Sequence, residues 1–252
     1  MTRSESSVQL IRKFVSTGIL GIAALLGSAF PAWAQVSLGA ASKFSILGGT
    51  NVTCTAGSVV TGDIGVYPGS FTNTGCTIAG GSPPATNAAA ALAQADLLRA
   101  YSSLQSIPCT QTISAAAFTG NVPALGPLAP GVYCFPAGVT FTDTTLTLNG
   151  PSTGMWIFKV GAALTGTNFS VVMADGGQPC NVFWSVGAGV TMTTSAFKGN
   201  ILAGSITDGS ITLTGGSVAG RALARVAVTL TGTSVVGCDA LSGGECERSR
   251  RP

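Results

Sequence analysis

Ile211-Thr212-Leu213-Thr214-Gly215-Gly216-Ser217-Val218 is matched position for position by Val52-Thr53-Cys54-Thr55-Ala56-Gly57-Ser58-Val59, far away in the chain. Four further stretches share the opening of this pattern: Val139-Thr140-Phe141-Thr142, Ala162-Ala163-Leu164-Thr165, Val190-Thr191-Met192-Thr193 and Val228-Thr229-Leu230-Thr231. Alternate side chains of a strand point to opposite faces, so each repeat turns its apolar residues one way and its hydroxyls the other. Phe141 and Met192 are expected in the core. Stacked as turns of a coil, such strands set their two outward positions about 6.5 Å apart and repeat each column roughly every 4.7–4.9 Å. Column one is expected to hold Thr53, Thr140, Ala163, Thr191, Thr212 and Thr229, and column two Thr55, Thr142, Thr165, Thr193, Thr214 and Thr231. Ala163 alone interrupts this lattice.

From Pro130 onward the chain divides at glycine-rich corners into Gly131 to Gly150, Pro151 to Gly177, Gln178 to Gly199, Asn200 to Gly220 and Arg221 to Cys238. Units of this length cannot bury an apolar face alone and must stack. Each opens with an almost wholly apolar strand, such as Trp156-Ile157-Phe158 or Val182-Phe183-Trp184, and a strand apolar on both faces is covered on both. The cover is expected from Pro83 to Ser106, Ala-rich with Leu92, Leu97, Leu98, Tyr101 and Leu104 on a helical stripe. Phe44 to Tyr67 is expected to add a coil of the same solenoid out of sequence order. Residues 107–127, with the Pro and Gly of Thr110 to Pro127, are expected to cap an open end of the stack.

Residues 1–34 are set aside as a secretory signal peptide: Arg3, Arg12 and Lys13 form a basic start, Phe14 to Leu26 an apolar run, and Ala32-Trp33-Ala34 a small-x-small cleavage site before Gln35. The expected organisation is this leader, one domain over 35–240, and a disordered tail over 241–252. The 252-residue chain carries a formal charge of +3, and the leader takes three of its basic residues and one acidic residue. A near-neutral mature chain argues against nucleic acid or an anionic membrane as partner. Charged residues make up only 8% of the chain, so its polar coat is built from hydroxyls rather than ions.

Seven cysteines and no histidine are present. In an oxidising compartment disulfides form, and although sequence leaves their connectivity open, the expected pairs are Cys109 with Cys134, Cys54 with Cys76 and Cys180 with Cys238. Cys246 is left over in the tail. Without His or a CxxC no metal site is expected, and no cofactor. Asp63, Asp143, Asp175, Asp208 and Asp239 sit beside Gly or Thr at corners, where Asp shapes turns through its own backbone. None is spaced as a paired acid and base, so no catalytic residue is assigned; a polysaccharide-cleaving β-helix is the enzyme alternative. Arg221 and Arg225 flank an apolar strand and are expected to clamp carbonyls or pair with Asp96 or Asp63.

Several separated motifs carry a resemblance. Leu38-Gly39-Ala40-Ala41-Ser42-Lys43-Phe44-Ser45-Ile46-Leu47-Gly48-Gly49, Gly62-Asp63-Ile64-Gly65-Val66-Tyr67-Pro68-Gly69, Leu128-Ala129-Pro130-Gly131-Val132-Tyr133, Cys180-Asn181-Val182-Phe183-Trp184-Ser185-Val186-Gly187 and Gly220-Arg221-Ala222-Leu223-Ala224-Arg225 resemble, in order, the secreted ice-binding-protein-like family of cold-adapted microbes. The resemblance implies a mainly β fold, a right-handed discontinuous three-faced β-solenoid with one long α-helix packed along it, and ice bound by one flat face. It also implies a Thr-(Ala or Gly)-x-(Thr or Asn) motif on that face. Thr165-Gly166-Thr167-Asn168 fits, while Thr231-Gly232-Thr233-Ser234 and Thr214-Gly215-Gly216-Ser217 carry Ser at the last place. Thr167, Asn168, Ser217 and Ser234 therefore join the two columns as expected ice contacts of a cofactor-free monomer. Thr is also a good strand residue in solenoids that bind nothing, so the rival expectation is an adhesive or structural module meeting a glycan or a protein surface.

Overall fold

The computed structural model describes residues 36–114, 117–119 and 127–241. The expected leader, Cys246 and the tail from residue 242 lie outside them. Three strands make each coil. In the coil that follows Pro151 they are Trp156–Val160, Leu164–Thr167 and Ser170–Ala174, and in the next Val182–Val186, Val190–Thr193 and the start of Ala196–Ala203. Like strands of successive coils pair in parallel and in register. The third strand of one coil and the first of the next can be continuous: Ala196–Ala203 and Ser217–Ala224 each run through a corner glycine. Gly199 and Gly220 there have φ of +118° and +147°, and a Cβ on Gly220 would collide with the carbonyl of Gly199.

The stack is not in sequence order. Phe44–Gly48 pairs with Ser217–Ala224, and Asn51–Thr55 pairs with Ala227–Thr231, so the amino-terminal coil lies against the carboxy-terminal one. One coil was expected before the helix, and two are found. Asp63–Val66, Ser70–Thr74 and Thr77–Ala79 form a second coil stacked outside the first. At the opposite end Gln111–Thr112 and Ala117–Thr119 extend the stack beyond Gly131–Phe135 and Val139–Thr142, in the segment expected to cap it. The result is a 13-stranded sheet, which wraps two faces, and an 8-stranded sheet, which forms the third.

The inside is packed with stacked side chains. Phe141 lies 4.4 Å from Phe169, Phe158 lies 4.0 Å from Trp184, and both pairs are near parallel. The apolar opening strands bury their other face under the helix Ala88–Ser106, where Leu47, Val132, Ile157, Phe183, Leu202 and Leu223 meet Ala93, Leu97, Ala100 and Leu104. Each of these larger aliphatic or aromatic side chains contributes about 1.5–3 kcal/mol by its burial. The helix starts five residues later than expected. Residues 83–86 instead run along the edge of Asp63–Val66, with Val66 N–H donating to Ala85 O and Ala85 N–H to Ile64 O. Asn87 then caps the helix, accepting from Ala89 N–H at 3.0 Å, a contact worth about 1 kcal/mol. At the other end the Lys159 ammonium donates to the carbonyls of Gln105 and Ile107 at 2.7 and 2.9 Å, satisfying helix-end acceptors. Its burial lowers the Lys159 pKa.

The three expected disulfides, Cys54–Cys76, Cys109–Cys134 and Cys180–Cys238, are all formed. The expected acidic partners of the arginines are not the ones found. Asp63 accepts from Ser82 N–H, and Asp96 pairs with Arg99 and accepts from Ala40 N–H. Arg221 reaches Asp239 at 3.3 Å, because the chain after the last coil folds back over that strand; it also donates to Asn200 Oδ1 and Ser42 O. Burial lowers the Arg221 pKa, and the charge of Asp239 opposes that shift. Arg225 clamps the carbonyl and the side-chain oxygen of Gln94 on the helix.

Candidate functional site

Among the described residues, only one sheet face is both uncovered and uniform. On the 8-stranded sheet Thr140, Thr165, Thr191, Thr212, Thr229 and Thr53 pair in succession as the first outward column. Thr142, Thr167, Thr193, Thr214 and Thr231 follow in the second, with Thr55 at its end. Between the columns Phe141, Met192, Leu213, Leu230 and Cys54 point inward and are buried. Thr55 donates to Leu230 O at 3.1 Å, and Thr53 Oγ1 accepts from Asn51 Nδ2. Among the described residues, the hydroxyls of Thr165, Thr167, Thr191, Thr193, Thr212, Thr214, Thr229 and Thr231 have no protein hydrogen-bond partner, and all eight residues are half-buried or exposed. The methyl and hydroxyl of each remain available to water.

The expected register of one strand is corrected. Ala163 does not stand in the first column and Thr165 does not stand in the second; Thr165 takes the first and Thr167 the second, so the lattice has no break among these six strands. Ala163 lies ahead of the strand, its carbonyl accepting from Val139 N–H at 2.9 Å. The cause is Gly166, which occupies an inward place with no side chain of its own. Met192 and Phe169 fill the space it leaves.

Three expected contacts lie off the threonine face. Each of the five coils from Gly131 onward leaves the face through a residue with left-handed φ: Asp143, Asn168, Thr194, Gly215 or Gly232. Asn168 is thus a corner residue, donating to Asp143 Oδ1 at 2.8 Å and accepting from the Thr194 hydroxyl. Ser217 and Ser234 come after the corner and pair with each other on the adjoining sheet, which turns them onto the next face. That face is mixed, with Lys198, Ala219, Val236, Thr61 and Ala79 along one column. The pattern also missed Thr72 and Thr74, which continue the two columns opposite Thr53 and Thr55. Phe71-Thr72-Asn73-Thr74 follows the rule except for Asn73 at an inward place. At the far end Ala117 and Thr119 pair with Thr140 and Thr142.

The geometry defines a class of protein: a β-solenoid assembled out of chain order, with one sheet face covered by a helix and another left as a regular, uncharged threonine array. The chain belongs to the ice-binding-like family, whose model matches residues 46–236. An ice-binding protein of Nostoc sp. (strain HG1) is 38% identical over 201 residues, covering 75% of this chain and 68% of that protein. One from Flavobacterium frigoris (strain PS1) is 31% identical over 207 residues, 77% of this chain and 74% of its own. The crystal structure of an ice-binding protein from the Antarctic ascomycete Antarctomyces psychrotrophicus superposes with a TM-score of 0.70 at 29% identity, covering 79% of this chain and 97% of that one.

Proposed function

We propose that this protein is secreted and adsorbs to ice through the threonine face, restraining crystal growth or recrystallisation around the cell. The observation that carries the reading is the unbroken register of six outward threonine pairs, from Thr140 and Thr142 to Thr53 and Thr55, on a sheet backed by stacked aromatic rings. β-Branched side chains are stiff at χ1, so the methyls and hydroxyls keep fixed positions. Hydroxyls at fixed spacing hold water nearly as well as a direct contact does, while the methyls between them shed it. Many weak contacts made at once then add to firm adsorption. Support comes from the relatives, which carry the name ice-binding protein, and from the lack of charge in either column.

The same reading makes the protein a non-catalytic monomer without cofactor or metal, its domain spanning residues 35–240 after removal of the leader. No helix among the described residues is long and apolar enough to cross a membrane. The test is partition into a slowly growing ice front. Thr193→Tyr places bulk at the middle of the face, where the side chain is outward, and should abolish partition with an unchanged melting curve. Partition retained by a folded Thr193→Tyr variant moves the binding face elsewhere. Wild-type protein left wholly in the liquid favours an adhesive module for a glycan or protein surface.

A further inference from the structure

We propose that Thr72 and Thr74 are a further pair of the adsorbing face, and that Asn73 and the Cys54–Cys76 disulfide are the groups that position it. The proposal rests on the reading of the threonine face above. Ser70–Thr74 pairs with Asn51–Thr55 over five residues, placing Thr72 opposite Thr53 and Thr74 opposite Thr55, and both outer threonines are exposed. The strand is the last of its sheet. It therefore has a neighbour on one side only, and a strand so placed frays more readily than one held on both sides.

The inner coils hold their corners from both sides. Thr233, for example, is buried: its hydroxyl proton is shared between Gly215 O in the preceding coil and Thr231 O in its own, while its N–H donates to Ser58 Oγ and its carbonyl accepts from Val59 N–H in the coil on the other side. The terminal coil lacks the second neighbour, and two devices replace it. Asn73 stands at the inward place between Thr72 and Thr74, opposite Cys54, where an aliphatic residue would face water at the open end of the core. Its amide folds onto the corner instead: Oδ1 accepts from Gly75 N–H at 3.0 Å and Cys76 N–H at 2.7 Å, and Nδ2 donates to Cys76 O at 3.2 Å. Cys76, the residue so held, is joined to Cys54 in the strand that carries Thr53 and Thr55. The corner that fixes the direction of Thr74 is thus tied covalently to the previous threonine pair. Cys54, Asn73 and Cys76 act on adsorption through the two threonines, as positioning residues.

The experiment measures ice-front partition against protein concentration, together with melting curves, for the full mature chain. Thr72→Tyr/Thr74→Tyr should raise the concentration needed for partition severalfold at an unchanged melting temperature. Thr77→Tyr, in the same coil but on the adjoining face, should leave it unchanged. Cys54→Ala/Cys76→Ala should weaken partition by a factor similar to the threonine pair, and the combined variant should lose no more than either parent does. Full partition by the Thr72/Thr74 variant while Thr193→Tyr abolishes it overturns the extension and leaves the face itself standing. Wild-type protein that never partitions removes both. A cysteine variant with undiminished partition, or one whose loss multiplies with that of the threonine pair, overturns the positioning role. If the cysteine variant does not fold, Asn73→Ala is judged by the same two criteria.

Discussion

The sulfur of Met192 occupies the space beside Gly166, 2.5 Å from where a Cβ on that glycine would lie. The two residues are direct partners in adjacent strands, and the long side chain of one fills the inward place left empty by the other. Adding atoms at Gly166 overpacks this contact, which costs about 1–3 kcal/mol. Gly166→Val is expected to lower the unfolding free energy by that amount in urea titration. Met192→Ala added to Gly166→Val should recover part of the loss, because it vacates the same space. Equal or greater loss in the double variant would show that the space is not shared.

The same pair marks the limit of what the sequence told. Five of the six threonine repeats have an apolar residue between their two threonines, and these were legible because burial requires it. Gly166 hides the rule, since its inward volume is supplied from Met192 and Phe169 in other positions. Asn73 hides it as well, since its place at the corner of the last coil is exposed to water, although Phe71 two residues before it packs against the core. The out-of-order coil was legible because Val52 to Val59 and Ile211 to Val218 share one pattern. The second coil before the helix was not: its strands Asp63–Val66 and Thr77–Ala79 are short. Likewise the helix start depends on a backbone pairing between Ala85 and Ile64, not on the prolines before it. The partner of Arg221 depends on how the chain folds back at Asp239. Contacts made only by folding left no local trace.

Neither column of the face carries a charge, so screening has nothing to act on there. Hydroxyls without carboxylates are poor calcium ligands, and Asp143, which directly follows Thr142, is engaged at its corner by Asn168. Ice-front partition and melting temperature are therefore expected to be the same with added calcium and with a chelator, and partition the same at low and moderate salt when freezing-point effects are matched. A calcium-dependent rise in either quantity would point to an adhesin or enzyme site instead.

The Cys109–Cys134 disulfide ties the segment after the helix to the strand Gly131–Phe135 across a sequence separation of 25 residues. Closing a loop of that size in the unfolded chain contributes about 3 kcal/mol in the chain-entropy model. Cys109→Ala/Cys134→Ala is expected to lose roughly that much stability by denaturant titration. Ice adsorption well below the melting temperature should persist, because neither residue lies near the threonine sheet. Peptide mapping without reduction should recover the linked pair, and Cys109 linked to another cysteine would refute the assignment.

Tyr133 is buried against the core, stacks on Phe158 at 5.6 Å and donates its hydroxyl proton to Ala129 O at 2.7 Å. Burial raises its pKa above the ordinary 10.0, and burial likewise raises that of Tyr101, against a smaller lowering by Gln105. Below about pH 10 both phenols are protonated in the folded and unfolded chains and contribute no slope. As the pH rises through 10, the unfolded chain releases its protons first, so the unfolded state gains and stability falls until the raised folded value is passed. Lys159 works the other way: its pKa is lowered in the fold, so approaching the ordinary 10.5 the unfolded chain holds the proton longer and stability rises. Tyr133→Phe separates these contributions. It should cost about 1 kcal/mol near neutral pH for the lost hydrogen bond, yet lose less stability than wild type when urea midpoints are compared below and above pH of about 10. A variant whose alkaline loss equals that of the wild type would place the proton release elsewhere than at Tyr133.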